Sequence, residues 1–184
     1  MSSIVVSGDT SGAITIAAPA VAGTNTLTLP ASTGTVALNN GPAFSAYLAT
    51  AQQSITSATW TKVTLNAEEF DTNNNFDSTT NYRFTPTVAG YYQINGAFIT
   101  NGTGATQTSA NIAIYKNGSA YKYGGLLAIN TGSVSQTAQL VTSLVYFNGS
   151  TDYVELYGNI AQTSPFFYFG STYTYMNGIM VRAA

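Results

Sequence analysis

Residues 84–98 read FTPTVAGYYQINGAF, and this stretch decides the fold. Phe84 ends one short extended segment, and Pro86, with no N–H to give, stops further ladder pairing there. Gly90 then opens a long strand in which Tyr92, Ile94 and Phe98 fall on alternate positions, the period of a sheet with one face in the core. A corner that joins a short strand to a long one in this way predicts a jelly-roll β-sandwich, with Gly90 admitting the tight turn of the chain. Phe84, Gly90 and Tyr92 are its fold motif. None of these side chains moves a proton or holds a metal, so function is expected on the surface of the folded, assembled protein.

Working outward, the segment 42–184 is rich in aromatic residues, and apolar alternation predicts strands near 43–48, 60–66, 82–86, 90–100, 110–116, 119–124, 136–147, 152–158, 166–169 and 173–183. Asn117-Gly118 and Asn148-Gly149 each lie between such runs and predict tight hairpin turns, since both residues tolerate positive φ. No window places apolar residues at helical spacing between caps, so the chain reads as all-β.

In 140–147 the apolar side chains Leu140, Val141, Leu144, Val145, Tyr146 and Phe147 occupy both faces, where a strand with one wet face would alternate cleanly. The last strand repeats the pattern, with Ile179 and Val181 on one side and Met176 and Met180 on the other. Tyr153, Tyr157, Tyr168, Tyr173 and Tyr175 extend the expected aromatic surface. An exposed apolar patch beyond ~400 Å² is uncommon on a solitary soluble protein, so self-association is the economical expectation. Leu140, Leu144, Tyr146, Tyr157, Phe167, Tyr175 and Met180 are the interface or core candidates.

Residues 1–40 differ: the apolar pairs Ile4 and Val6, Ile14 and Ile16, Leu27 and Leu29, and Val36 and Leu38 recur roughly every ten residues between Gly-containing turns, without a single aromatic side chain. Strands this short bury their apolar stripe only against other copies or another protein. These residues are read as an anchoring or intertwining arm, the alternative being an unstructured leader.

Composition narrows the function. Only 7% of the 184 residues are charged and the net charge is −2, against about a quarter charged in ordinary soluble domains. Lys62, Arg83, Lys116, Lys122 and Arg182 are scattered, which argues against nucleic-acid binding. Cysteine and histidine are both absent, which removes thiolate or imidazole metal sites, thiol nucleophiles and Ser-His relays. Nothing at the amino terminus reads as a secretory signal, and no run has the 18 or so apolar residues of a membrane-spanning helix. The expectation is synthesis in a host cytoplasm without membrane insertion. Glu155 and Asp152, three apart in an extended segment, face opposite ways and do not form the carboxylate pair of a glycosidase. The chain is therefore read as a non-enzyme.

Ala43-Phe44-Ser45-Ala46, the Trp60–Phe70 segment, Phe84 with Gly90 and Tyr92, the Tyr115-Lys116-Asn117-Gly118 hairpin and Asp152–Tyr157, in this order, resemble the globular head of complement's q subunit, a family that shares its jelly roll with the tumour necrosis factors. The chain departs from that pattern at Ile94, at Gly96 and in a longer Asn-rich loop between Phe70 and Tyr82. The resemblance implies a homotrimer packed about an apolar axis. Family members sometimes bind calcium, which makes Glu68, Glu69, Asp71 and Asp77 weak candidate ligands, although their spacing matches no established loop. The stretch from Ala18 to Val36 is similar to a segment of structural proteins of tailed bacteriophages. Together the resemblances imply a virion surface protein: a head fibre or capsid decoration held by residues 1–40, or alternatively a tail-fibre tip that recognises a host glycan or outer-membrane receptor. A soluble lectin-like module is a further alternative. Phe166, Phe167, Tyr168 and Phe169 form a candidate sugar-stacking run, with packing as the competing reading. The loops 101–109 and 159–165 suit hydrogen-bonded recognition.

Overall fold

The computed structural model describes residues 3–8, 10–17, 20–21, 23–24 and 41–184. By internal contacts the chain divides into two units, Met1–Val36 and Ala37–Ala184. In the first, β1 (Ser3–Ser7) and β2 (Ala13–Ala17) form an antiparallel hairpin. Its loop closes through the Gly8 N–H, which donates to Gly12 O at 3.0 Å. Ile4 stands opposite Ile16 and Val6 opposite Ile14, so one face of the ladder is aliphatic, and all four side chains are exposed. A lone two-stranded ribbon is marginal in water. Leu27, Leu29, Val36 and Leu38 lie outside the described residues.

The second unit contains β3 (Ala43–Tyr47), β4 (Gln53–Ser54), β5 (Thr61–Lys62), β6 (Ala67–Asp71), β7 (Phe76–Asp77), β8 (Arg83–Phe84), β9 (Gly90–Asn101), β10 (Ser109–Lys116), β11 (Ser119–Ala128), β12 (Thr137–Phe147), β13 (Val154–Ala161), β14 (Phe166–Phe167) and β15 (Tyr175–Ala183). Among the described residues every regular element is a strand. The first sheet runs β4-β14-β9-β15-β3-β6, with β12 also paired to β9, and the second runs β11-β10-β13-β8-β7, with β5 paired to β13. All pairings are antiparallel. This is the jelly-roll sandwich that residues 84–98 predict.

The inward positions of both sheets supply the core. Tyr92, Ile94 and Phe98 of β9 and Val141, Val145 and Phe147 of β12 meet Ile112 and Ile114 of β10 and Val154, Leu156 and Ile160 of β13. Phe84 sits in an aromatic cluster, T-shaped to Phe147 at 5.9 Å and edge-on to Tyr92 at 5.8 Å between ring centroids. The Tyr92 hydroxyl donates to Val88 O at 2.7 Å, which fixes the corner before β9. Burial alone pushes that phenol up to about 12.

Two sequence expectations are corrected. Gly90 is needed for close approach rather than for a turn: a Cβ there would lie 2.4 Å from Arg182 O on the adjacent strand β15. Asn117-Gly118 forms the expected tight turn with both φ values positive, 52° and 78°, but Asn148-Gly149 does not. The Asn148 side-chain oxygen accepts the N–H groups of Ser150, Thr151 and Asp152, each at 3.0 Å, and so caps a longer loop. That loop carries the chain from β12 in one sheet to β13 in the other, whereas a hairpin would have kept them in one.

Candidate functional site

The outward face of the first sheet is built from positions that alternate with the core residues of β9, β12 and β15. Register groups them into rows across the strands. Leu140, Ala97, Tyr175 and Tyr47 stand opposite one another, as do Thr142, Asn95, Asn177 and Ser45, and then Leu144, Gln93, Ile179 and Ala43. Tyr146 and Tyr91 follow, their rings 5.4 Å apart, beside Val181 and Arg182 around a hollow of about 700 Å³. Leu140 is 63% exposed, Leu144 52%, Ile179 50% and Val181 60%. The doubly apolar character of residues 140–147 is therefore real: Val141, Val145 and Phe147 fill the core while Leu140, Leu144 and Tyr146 face outward.

The other interface or core candidates separate. Tyr175 shares this face. Phe167 is fully buried, its ring tilted against Phe98 at 4.7 Å, and Met180 packs against the core. Tyr157 belongs to the second sheet, so the expected single surface of Tyr153, Tyr157, Tyr168, Tyr173 and Tyr175 does not form. Instead Tyr157 stacks on Tyr115 at 3.8 Å, Trp60 lies 6.2 Å from Tyr115 and 5.6 Å from Tyr123, and Arg83 covers the Tyr153 ring at 4.2 Å. Four strands and two loops contribute to this outer cluster, so no local sequence pattern marks it. Beside it Lys62 Nζ meets Glu155 Oε1 at 2.9 Å and also donates to Asn81 O.

In the run 166–169, Phe167 is core while Tyr168 stacks on Phe169 at 5.8 Å and meets Tyr173 edge-on. At the polar loops, the Gln162 amide donates to Gly104 O and Ser135 O and ties neighbouring connections together.

The acidic loop is occupied with its own backbone. Asp71 accepts the N–H groups of Asn73 and Phe76, and Glu69 accepts the Ser45 hydroxyl at 2.8 Å. Asp77 accepts from the backbones of Thr79, Thr80 and Asn81 and from the Asn81 amide. The backbone N–H of Thr80, then that of Thr79, holds its carboxyl well below the usual carboxylate range. Among the described residues, no cluster of three or more acidic side chains is placed to hold a metal ion; Glu68 is exposed. Asp152 instead pairs with Lys116 at 2.9 Å. The Asn117 amide, more than Lys116, keeps its carboxyl low.

No protein-family model matches the sequence, and no curated protein sequence matches it. Solved structures do. The globular domain of zebrafish complement 1qA protein superposes with a TM-score of 0.54 at 16% identity, covering 78% of this chain and 99% of that one. Murine APRIL gives 0.53 at 8% identity over 76% of this chain and 98% of its own. Eiger TNF from S. frugiperda gives 0.53 at 6% identity over 78% and 95%. At such identities the likeness is one of fold: the carboxy-terminal unit has the jelly roll of the complement and tumour necrosis factor globular domains.

Proposed function

We propose that this chain is a structural virion protein of a tailed bacteriophage, a homotrimeric surface knob anchored by residues 1–40 and serving as a head fibre or capsid decoration. The observation that carries this reading is the outward face of the first sheet. A band of Leu140, Leu144, Ile179 and Val181, each at least half exposed in a single chain, is the kind of surface a partner of the same chain covers. The β1–β2 hairpin supports a second attachment, since Ile4, Val6, Ile14 and Ile16 present an aliphatic stripe with the chemistry for docking on a capsid or tail protein. The role in this reading is mechanical and adhesive, with Asp71, Asp77, Asp152 and Glu155 engaged in turns and ion pairs.

The Trp60, Tyr115 and Tyr123 cluster favours the second reading, a tail-fibre tip that binds a host glycan, since solvent-facing aromatic rings beside an ion pair suit sugar stacking. Immunogold labelling of intact particles separates the two. Gold on the shell is expected, and gold confined to the tail overturns the capsid assignment. A single-copy mass for the full chain at micromolar concentration removes the trimer altogether. Binding on a glycan array without incorporation into any particle supports the soluble lectin-like alternative instead.

A further inference from the structure

The outward face of the first sheet is not uniformly apolar. A polar row crosses it between two greasier ones: Thr142 of β12, Asn95 of β9, Asn177 of β15 and Ser45 of β3 stand in register. The row is already oriented within one chain. The Thr142 hydroxyl donates to Asn95 Oδ1 at 2.7 Å, and the Asn95 amide donates to Asn177 Oδ1 at 3.0 Å. Gln93 Nε2 donates to Thr142 Oγ1 at 2.7 Å, and Ser45 Oγ donates to Glu69 Oε2. With the dipoles fixed in this direction, Asn177 Nδ2 at one end and Gln93 Oε1 at the other have no partner among the described residues.

We infer that this row is a register lock for self-association, and that its occupant is the same face of further copies of this chain. The inference rests on the reading above that such copies cover the face. A purely aliphatic sheet face lets a partner slide by one side-chain repeat, ~7 Å along the strands, with little change in apolar contact. The amide row forbids that slip. In a displaced register Thr142, Asn95 and Asn177 would be buried largely against Leu140 and Ala97 or against Leu144 and Ile179, none of which offers the spare donor and acceptor a partner. Each buried, unpaired group disfavours such an arrangement roughly tenfold or more. In the matched register the donor of one copy and the acceptor of another satisfy each other. A single polar residue in an apolar coiled-coil seam acts in the same way, trading some stability for one defined assembly.

The test is the native mass of the full-length chain, compared with Asn95→Val/Asn177→Val. The unaltered protein is expected to give one trimeric mass. The double variant is expected to keep or raise its melting temperature while spreading over several masses, with at least a tenth of the material outside the trimer. A variant that stays a single trimer overturns the lock while leaving the trimer itself intact. An unaltered protein that runs as one copy overturns the self-association reading and the lock with it. Gln93→Leu/Thr142→Val removes the other end of the same hydrogen-bonded chain. It reads out the same point should the amide pair be needed for the sheet to fold: mixed masses support the lock and a lone trimer overturns it.

Discussion

The Phe84 ring stacks on Phe44 with centroids 4.1 Å apart and planes 17° from parallel, one ring from each sheet. Both are fully buried, and the pair joins the two layers of the sandwich at the corner that the sequence marks. Phe84→Ala is expected to cost about 3–5 kcal/mol, read as a lower denaturation midpoint with an unchanged denaturant slope.

Leu144→Lys places a charge on the outward face without touching the core. The isolated chain should keep its fold while the proposed assembly dissociates, so the measured mass falls from that of the trimer to that of one copy. Trp60, the chain's one tryptophan, lies on the opposite sheet, and its emission maximum should be the same before and after dissociation. A shift in that maximum would place the contact on the wrong face.

Tyr92→Phe removes the hydrogen bond to Val88 O and leaves that carbonyl unpaired, for a loss of about 1–3 kcal/mol at neutral pH. The fold holds the neutral phenol, raised from 10.0 to about 12. Its contribution is therefore complete below pH 10 and is lost as pH rises toward 12. Alkaline stability curves of the two proteins should converge over that interval.

Asp77→Ala releases the turn at 77–81 and should cost about 1 kcal/mol near neutrality, as loss of a backbone cap does. Because the folded carboxyl titrates well below its ordinary 3.8, the stabilisation is present above that value and disappears as pH falls below it. The gap between parent and variant should narrow through the acid limb of a urea series.

Gly118 and Gly158 separate two uses of glycine. At Gly118, with φ of 78°, an added Cβ meets only Tyr153 at 3.5 Å, so Gly118→Ala should cost about 1–2 kcal/mol from backbone conformation. At Gly158 the Cβ would lie 2.5 Å from the Phe167 ring. Gly158→Ala should cost about 1–3 kcal/mol from overpacking, read as a lower urea midpoint.

The long strands were legible for two reasons: β9 carries an alternation that states which side chains point inward, and β12 and β15 are long extended runs apolar on both faces. The short pieces β4 and β7, two residues each, were not, being set by what lies beside them rather than by any periodicity of their own. Asn148-Gly149 was misread because the same residue type that favours a tight turn also caps a loop with its side chain, and only the neighbouring N–H groups decide between them. The outer aromatic cluster and the amide row were hidden for a different reason. Asn95 and Asn177 are far apart in sequence, and only strand register makes them neighbours. The hint that existed was the outward pair Gln93, Asn95 between the hydrophobic outward residues Tyr91, Ala97 and Ile99 of the same strand.

Across β9, β12 and β15 the outward rows carry no carboxylate or ammonium, with Arg182 alone at the rim. A counterion cloud has little there to shield. Desalting or brine should thus leave the proposed contact unchanged, a cohesion indifferent to the ionic medium that would suit the virion surface proposed above.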